Sequence, residues 1–257
     1  MKKLQLPSLS FIFLFSLLAI SSCDNSDETF ALEYLVEEQK VIEVPFVSSE
    51  EAALIVNSYF MKNGGGLPTI IDDVTNALIQ AVMSGELCGD AINFQVDKSI
   101  NNAEGEADFT SSFSIEAACV FGVPEEVDIS AETSSNLSTE SLLSEYESVF
   151  SGDASLAINP LNLLQPDISM EGEFVADGHQ KVLYNQVTKS IESILTINLQ
   201  DVTFVSQDFN IAGGVGELLF TAVTQNTTFD FTGSIVFNGD NTATLDIDGE
   251  VSEIDWN

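Results

Sequence analysis

The chain contains no arginine, and its 257 residues carry seven lysines against 41 aspartates and glutamates. Affinity for nucleic acid comes mostly from Lys and Arg on phosphates, so a net charge of −34 excludes nucleic acid as a partner and repels anionic headgroups. Histidine is nearly absent as well. The single imidazole, His179, and the lack of any Gly-x-Ser-x-Gly elbow leave serine-hydrolase chemistry without both halves of its signature. One histidine and a few separated cysteines do not assemble a usual zinc site. The glycine run Gly64-Gly65-Gly66 is not followed by Lys-Ser/Thr, so it reads as a turn rather than an anion cradle, and no cofactor is expected. Long apolar stretches are missing too. The run from Leu9 to Ile20 falls short of the roughly 20 residues that a membrane-spanning helix needs.

What that run does offer is an address. Lys2 and Lys3 precede it, and it ends in Ile20-Ser21-Ser22-Cys23, the charge-then-apolar order of a secretory signal. The ending resembles the lipobox of bacterial lipoproteins, in which an aliphatic and two small residues precede a cysteine that becomes the acylated first residue. The resemblance implies removal of residues 1–22 and lipidation of Cys23. Several acyl chains hold firmly where one holds only marginally, so it also implies a permanent membrane tether. The alternative is an ordinary signal peptide with Cys23 an incidental thiol. Asp24-Asn25-Ser26-Asp27-Glu28 is similar to the acidic export leaders of Bacteroidota surface lipoproteins, which implies the outer membrane and display at the cell surface. The periplasmic face is the alternative location. Residues 23–40 then read as the tether.

Without residues 1–22 the chain keeps five lysines against 41 carboxylates, a balance that resembles the acidic surfaces of salt-adapted proteins. It is nevertheless 44% hydrophobic with 18 Phe, enough to build a core rather than remain disordered. With Cys23 acylated, Cys88 and Cys119 form an even pair in a compartment where disulfides persist, against the alternative of two buried free thiols.

Residues 41–257 read as one β-rich domain beginning with a helical hairpin. Val41–Val47 is a short apolar run limited to an edge strand by Pro45. Ser48-Ser49-Glu50-Glu51 is a capping box, with Ala52, Ile55, Val56, Tyr59 and Phe60 following at helical spacing. Pro68 opens a second helix, whose apolar face holds Ile71, Val74, Leu78, Ala81 and Val82 and which stops near Gly85. From Ala91 the period becomes two. Ala107, Phe109, Phe113, Ile115, Ala117, Cys119 and Phe121 share one face, and Val127, Ile129 and Ala131 follow a turn at Pro124-Glu125. Residues 138–151 fit a helix after a Ser138 cap, although Leu142, Tyr146 and Phe150 also fit a strand; the helix is preferred. Asn159-Pro160 and Gln165-Pro166 mark a sub-boundary near 159–167.

Beyond it, strands are expected over Glu171–Ala176 and Gln180–Tyr184, joined by an Asp177-Gly178 hairpin turn. Further strands over Ile191–Phe204, Gly216–Thr224, Thr228–Phe237 and Thr242–Glu250 have Gly213-Gly214 among their breaks. The fold class is mainly β with a helical hairpin, an antiparallel meander forming a sandwich or partly closed barrel. Trp256 is placed to cap the sheet.

Calcium is the one ion the composition invites, with Asp240, Asp246 and Asp248 as weak candidates beside Asn238 and Glu250. An EF-hand beginning at Asp246 fails, because Val251 stands where glycine is needed and Asn257 where glutamate is needed. A solvated acidic strand face is the competing reading. The functional expectation is a membrane-anchored binding or structural surface protein, without catalysis, whose partner is an extracellular protein or glycan. Phe-rich strands cupping a hydrophobic ligand make a carrier the alternative. A carboxylate-dependent glycan-acting enzyme stands third, since it needs only two acids about 5–10 Å apart.

Overall fold

The computed structural model describes residues 46–61, 64–102, 105–140, 145–159, 161, 167–184, 187–205, 211–225 and 227–255. The signal segment, Cys23, the tether, residues 41–45, Leu142, Leu143 and Trp256 lie outside them. Two helices come first, α1 (Ser49–Ser58) and α2 (Leu67–Ser84). Ten strands follow: β1 (Ile92–Asn102), β2 (Gly105–Val120), β3 (Val123–Glu140), β4 (Glu145–Ile158), β5 (Asp167–Tyr184), β6 (Val187–Val205), β7 (Ile211–Thr224), β8 (Thr227–Gly239), β9 (Thr242–Ile247) and β10 (Glu250–Asp255). Each pairs antiparallel with its sequence neighbour, giving one sheet in the order β1 to β10. The meander is therefore a single sheet rather than a sandwich of two. The sheet is not closed.

Its curvature follows from two neighbouring residues of α1. Asn57 Nδ2 reaches Ser252 Oγ on β10 at 3.5 Å, while the Ser58 hydroxyl meets the Tyr146 hydroxyl on β4 at 2.6 Å. In a flat sheet β4 and β10 would stand about 29 Å apart, six strand spacings. Adjacent side chains cannot bridge that span, so the sheet curls around α1 as a partly closed barrel with the helices inside.

The helices form where local chemistry directs them. Ser48 Oγ accepts the Glu51 amide at 3.2 Å and the Ser48 amide donates to Glu51 Oε2 at 3.0 Å, completing the capping box. The same Glu51 receives Lys189 Nζ of β6 at 2.5 Å, and this lysine also donates to the Phe46 carbonyl at 2.7 Å. Both ends of α1 are thus bonded to the sheet. Its apolar residues Ala52, Ile55, Val56, Tyr59 and Phe60 are buried, each large side chain contributing about 2 kcal/mol. Pro68 occupies the first turn of α2, and Gly85 closes it at φ +74, where an L side chain is disfavoured. Asp73 of α2 meets Lys98 of β1 at 2.8 Å.

The glycine run is a packed turn. The Thr133 and Ser135 hydroxyls of β3 donate to the Gly65 and Gly64 carbonyls at 2.9 and 2.6 Å. Gly65 has φ +75, and a Cβ there would lie 2.7 Å from Phe109 Cβ. Such an approach between turn and sheet requires glycine.

On β2, Ala107, Phe109, Phe113 and Ile115 point inward as the alternation predicts, and the Phe94 and Phe113 rings stack at 4.6 Å. A register shift at Ala118/Cys119 leaves Glu125 of β3 unpaired, while β2 keeps its alternation until it ends at Val120; Phe121 lies beyond the strand, fully exposed in the β2–β3 turn. That turn is at Phe121-Gly122, and Pro124 belongs to β3. Cys88 and Cys119 form a disulfide, with 2.02 Å between sulfurs and 5.7 Å between Cα atoms, tying the segment after α2 to the end of β2.

Other expectations give way to pairing. The described part of 138–151, residues 138–140 and 145–151, is strand rather than helix: β3 and β4 pair from Val127↔Ile158 to Glu140↔Glu145. Tyr146, Ser148 and Phe150 turn inward together, and the polar Ser148 blurs the pattern. Asp177-Gly178 is no turn but the interior of β5, and Gly213-Gly214 lies within β7. Phe46 and Val47 belong to no strand and lead into α1. No boundary divides the sheet near 159–167, because β4 and β5 pair over their whole facing length. Val41–Asn257 is one compact unit.

Candidate functional site

Two places gather polar groups, one sealed and one open. The sealed one is the core beneath α1. Gln180 Nε2 donates to Tyr59 Oη at 2.9 Å, Ser193 Oγ donates to Gln180 Oε1 at 2.9 Å, and Tyr59 Oη closes the ring by donating to Ser193 Oγ at 3.1 Å. All three side chains are buried. Gly178 makes room for the phenol, since a Cβ there would sit 2.3 Å from Tyr59 Oη. Burial raises the Tyr59 phenol far above its ordinary value, and it pushes Tyr146 up to about 12, with the Ser58 hydroxyl pulling the other way. With every partner satisfied and water excluded, this network orders the core.

The open place is the outer face of the sheet. Strand register aligns Asp97, Thr110, Ser134, Ser151, Asp177, Ile194 and Thr221 in a row across β1 to β7. A second row beside it runs Asp108, Asn136, Val149, His179, Glu192 and Val223. These rows line two shallow depressions of about 580 and 500 Å³ that share Ser134, Val149 and Phe150 and so form one trough. Small residues, Ser134 and Ser151, keep its floor low. Val149 and Ile194 stand in it 55% and 49% exposed.

Acids predominate along the trough, with Asp97, Asp108, Asp177 and Glu192 against Lys98 and His179. The Thr110 hydroxyl, then the Gln95 amide, donate to Asp97 and hold its carboxyl below the usual range. His179, expected beside a turn, projects outward from β5 with Nε2 3.3 Å from Ser190 Oγ.

The calcium candidates act as turn residues. Asp248 Oδ1 accepts the Thr232 amide and hydroxyl, both at 3.2 Å, and Asp246 Oδ1 accepts the Gly249 amide at 2.9 Å. Asp240 adopts φ +51 in the β8–β9 turn. Among the described residues no group of three or more His, Cys, Asp or Glu is placed to hold a metal ion.

Sequence reading missed the trough because its lining comes from seven strands. One signal was present: Val149 and Ile194 are apolar residues out of phase with the inward rows of β4 and β6. No family model matches the chain, and no curated protein or solved structure matches it either. Among the described residues no helix is long and apolar enough to cross a membrane.

Proposed function

We propose that this is an exported lipoprotein, anchored through Cys23 to the outer membrane and displayed at the cell surface, which binds a partner without catalysis through the outer face of its sheet. One observation carries the reading. The inner face, where a carrier would hold its cargo, is occupied by α1 and α2, whose large apolar side chains are buried against the strands. What stays accessible is a shallow, mixed apolar and acidic trough, the form of a surface that meets another surface.

Native mass spectrometry of the domain purified from its own organism, with organic extraction of bound material, separates this reading from the carrier. The expected result is a bare mass; a reproducible bound mass in the lipid range would make the protein a carrier instead. Fractionation tests the anchor: Cys23→Ser is expected to move the protein out of the membrane fraction, and an unchanged distribution would overturn lipidation.

A further inference from the structure

The most exposed large hydrophobic side chain of the described residues stands at the tip of the β2–β3 hairpin. Phe121 is completely exposed, and Val120 and Val123 beside it are 46% and 61% exposed. The two-residue turn holds Phe121 at φ +53 and Gly122 at φ +80. Turns of this kind take Asn-Gly or Asp-Gly, because short polar side chains tolerate a left-handed backbone. A bulky aromatic there is an outlier, and such outliers cluster at sites of function. Phe121 therefore combines two unfavourable features, a strained backbone and a bare ring.

The tip is braced rather than loose. Cys119, two residues before Phe121, is held by the disulfide to Cys88. The register shift beside it frees the Glu125 carbonyl, which accepts the Leu161 amide at 2.9 Å. A prong fixed from both sides loses little conformational freedom on binding.

Charge and position select the occupant. Glu116, Glu125, Glu126 and Asp128 follow or precede the tip on β2 and β3, and Glu86 and Asp90 flank Cys88. An apolar point collared by carboxylates is repelled from an anionic lipid surface and suits an apolar socket rimmed by Lys or Arg. Position agrees. Phe46, where the described chain begins, is held by Lys189 near the start of β6 and by the Phe229 ring near the start of β8. Those ends lie opposite the tip, the 16 residues of β2 spanning about 50 Å. We infer that the Val120-Phe121-Gly122-Val123 tip is a docking prong that inserts into an apolar, cation-rimmed socket of a partner protein. This surface is separate from the trough and does not depend on it.

Site-specific photo-crosslinking in the organism's own cells tests the inference. A photoreactive phenylalanine analogue replaces Phe121 in the full-length protein or, as a control, the exposed Val251 of β10. The expected adduct from position 121 is one protein species, absent from position 251, joined through an apolar peptide flanked by Lys or Arg. With that protein purified, Phe121→Asn is expected to weaken binding at least about tenfold, as loss of an aromatic anchor does. The same variant should melt no lower than the wild type, since asparagine accepts the left-handed backbone; a merely structural Phe121 would give the reverse. Adducts with lipid, with a second copy of this chain, or equally from both positions would overturn the inference, as would no adduct or undiminished binding by Phe121→Asn.

Discussion

Raising the pH from 10 to 12 is expected to remove a stabilising contribution stored in two core phenols. Tyr59 and Tyr146 both hold their protons above the ordinary tyrosine value of 10.0, because burial disfavours the phenolate. In this window the native state binds more protons than the unfolded chain. The contribution is therefore complete below pH 10 and is lost as the pH rises through the folded value, about 12 for Tyr146. A change from 10 to about 12 corresponds to about 3 kcal/mol for Tyr146. Tyr59 adds to it with the same sign. Set against a typical domain stability of about 5–15 kcal/mol, the two make up a large share of what alkaline unfolding must overcome.

Tyrosinate absorbance and far-ultraviolet circular dichroism recorded along one titration provide the assay. The core phenols, Tyr59 and Tyr146, should ionise only as the β signal is lost. Tyr146→Phe should make the loss of stability above pH 10 shallower by one proton. It also gives up the contact with Ser58, worth about 1 kcal/mol at neutral pH. If Tyr59→Phe/Tyr146→Phe loses stability above pH 10 as steeply as the wild type, the phenols are not its source. Ionisation of every tyrosine near pH 10 with an intact β signal would refute the reasoning altogether.

Three further perturbations test other parts of the scaffold. Lys189→Ala strands the buried Glu51 carboxylate and should cost about 3–5 kcal/mol in urea unfolding, most of it recovered when Glu51→Gln is added. Replacing both Cys88 and Cys119 by Ser opens a loop of 31 residues and should cost about 3–4 kcal/mol; reductant should then lower the melting temperature of the wild type but not of this variant. Gly65→Ala places a methyl group against Phe109 at positive φ and should cost about 1–3 kcal/mol by thermal melting.

Both helices were legible in the sequence because their ends are written in local chemistry: the Ser48 and Glu51 box, Pro68 and Gly85. β8, with its regular alternation, was equally plain, whereas the expected strand Thr242–Glu250 runs through the Asp248-Gly249 turn that separates β9 from β10. The misreadings have a common cause, in that a residue chosen for a distant contact imitates a local signal. Gly178 reads as half of a hairpin turn, yet it is small because Tyr59, 119 residues earlier, places a hydroxyl over it. Ser148 breaks the apolar rhythm of β4 from within the core, and the mixed pattern then fits a helix as well as a strand. Phe121 continues the inward parity of β2 on paper, but the strand ends at Val120 and Phe121 takes the first position of the turn at φ +53. The trough could not be read from any one segment, since register alone brings Val149, His179 and Ile194 together.

A meander that curls around its own first helices also sets an order of events during synthesis. Every strand pairs with the one made just before it, so the sheet can lengthen hairpin by hairpin with little loop closure at each step. The helices are the exception: α1 leaves the ribosome early, yet its Asn57 waits for Ser252, 195 residues later, to be covered. Until β9 and β10 are made, α1 lacks part of the wall it packs against, and such partly covered apolar surface invites aggregation. The last six-residue strand thus acts as the closing stave of the barrel, and a chain cut short before Glu250 would leave its oldest segment the most exposed.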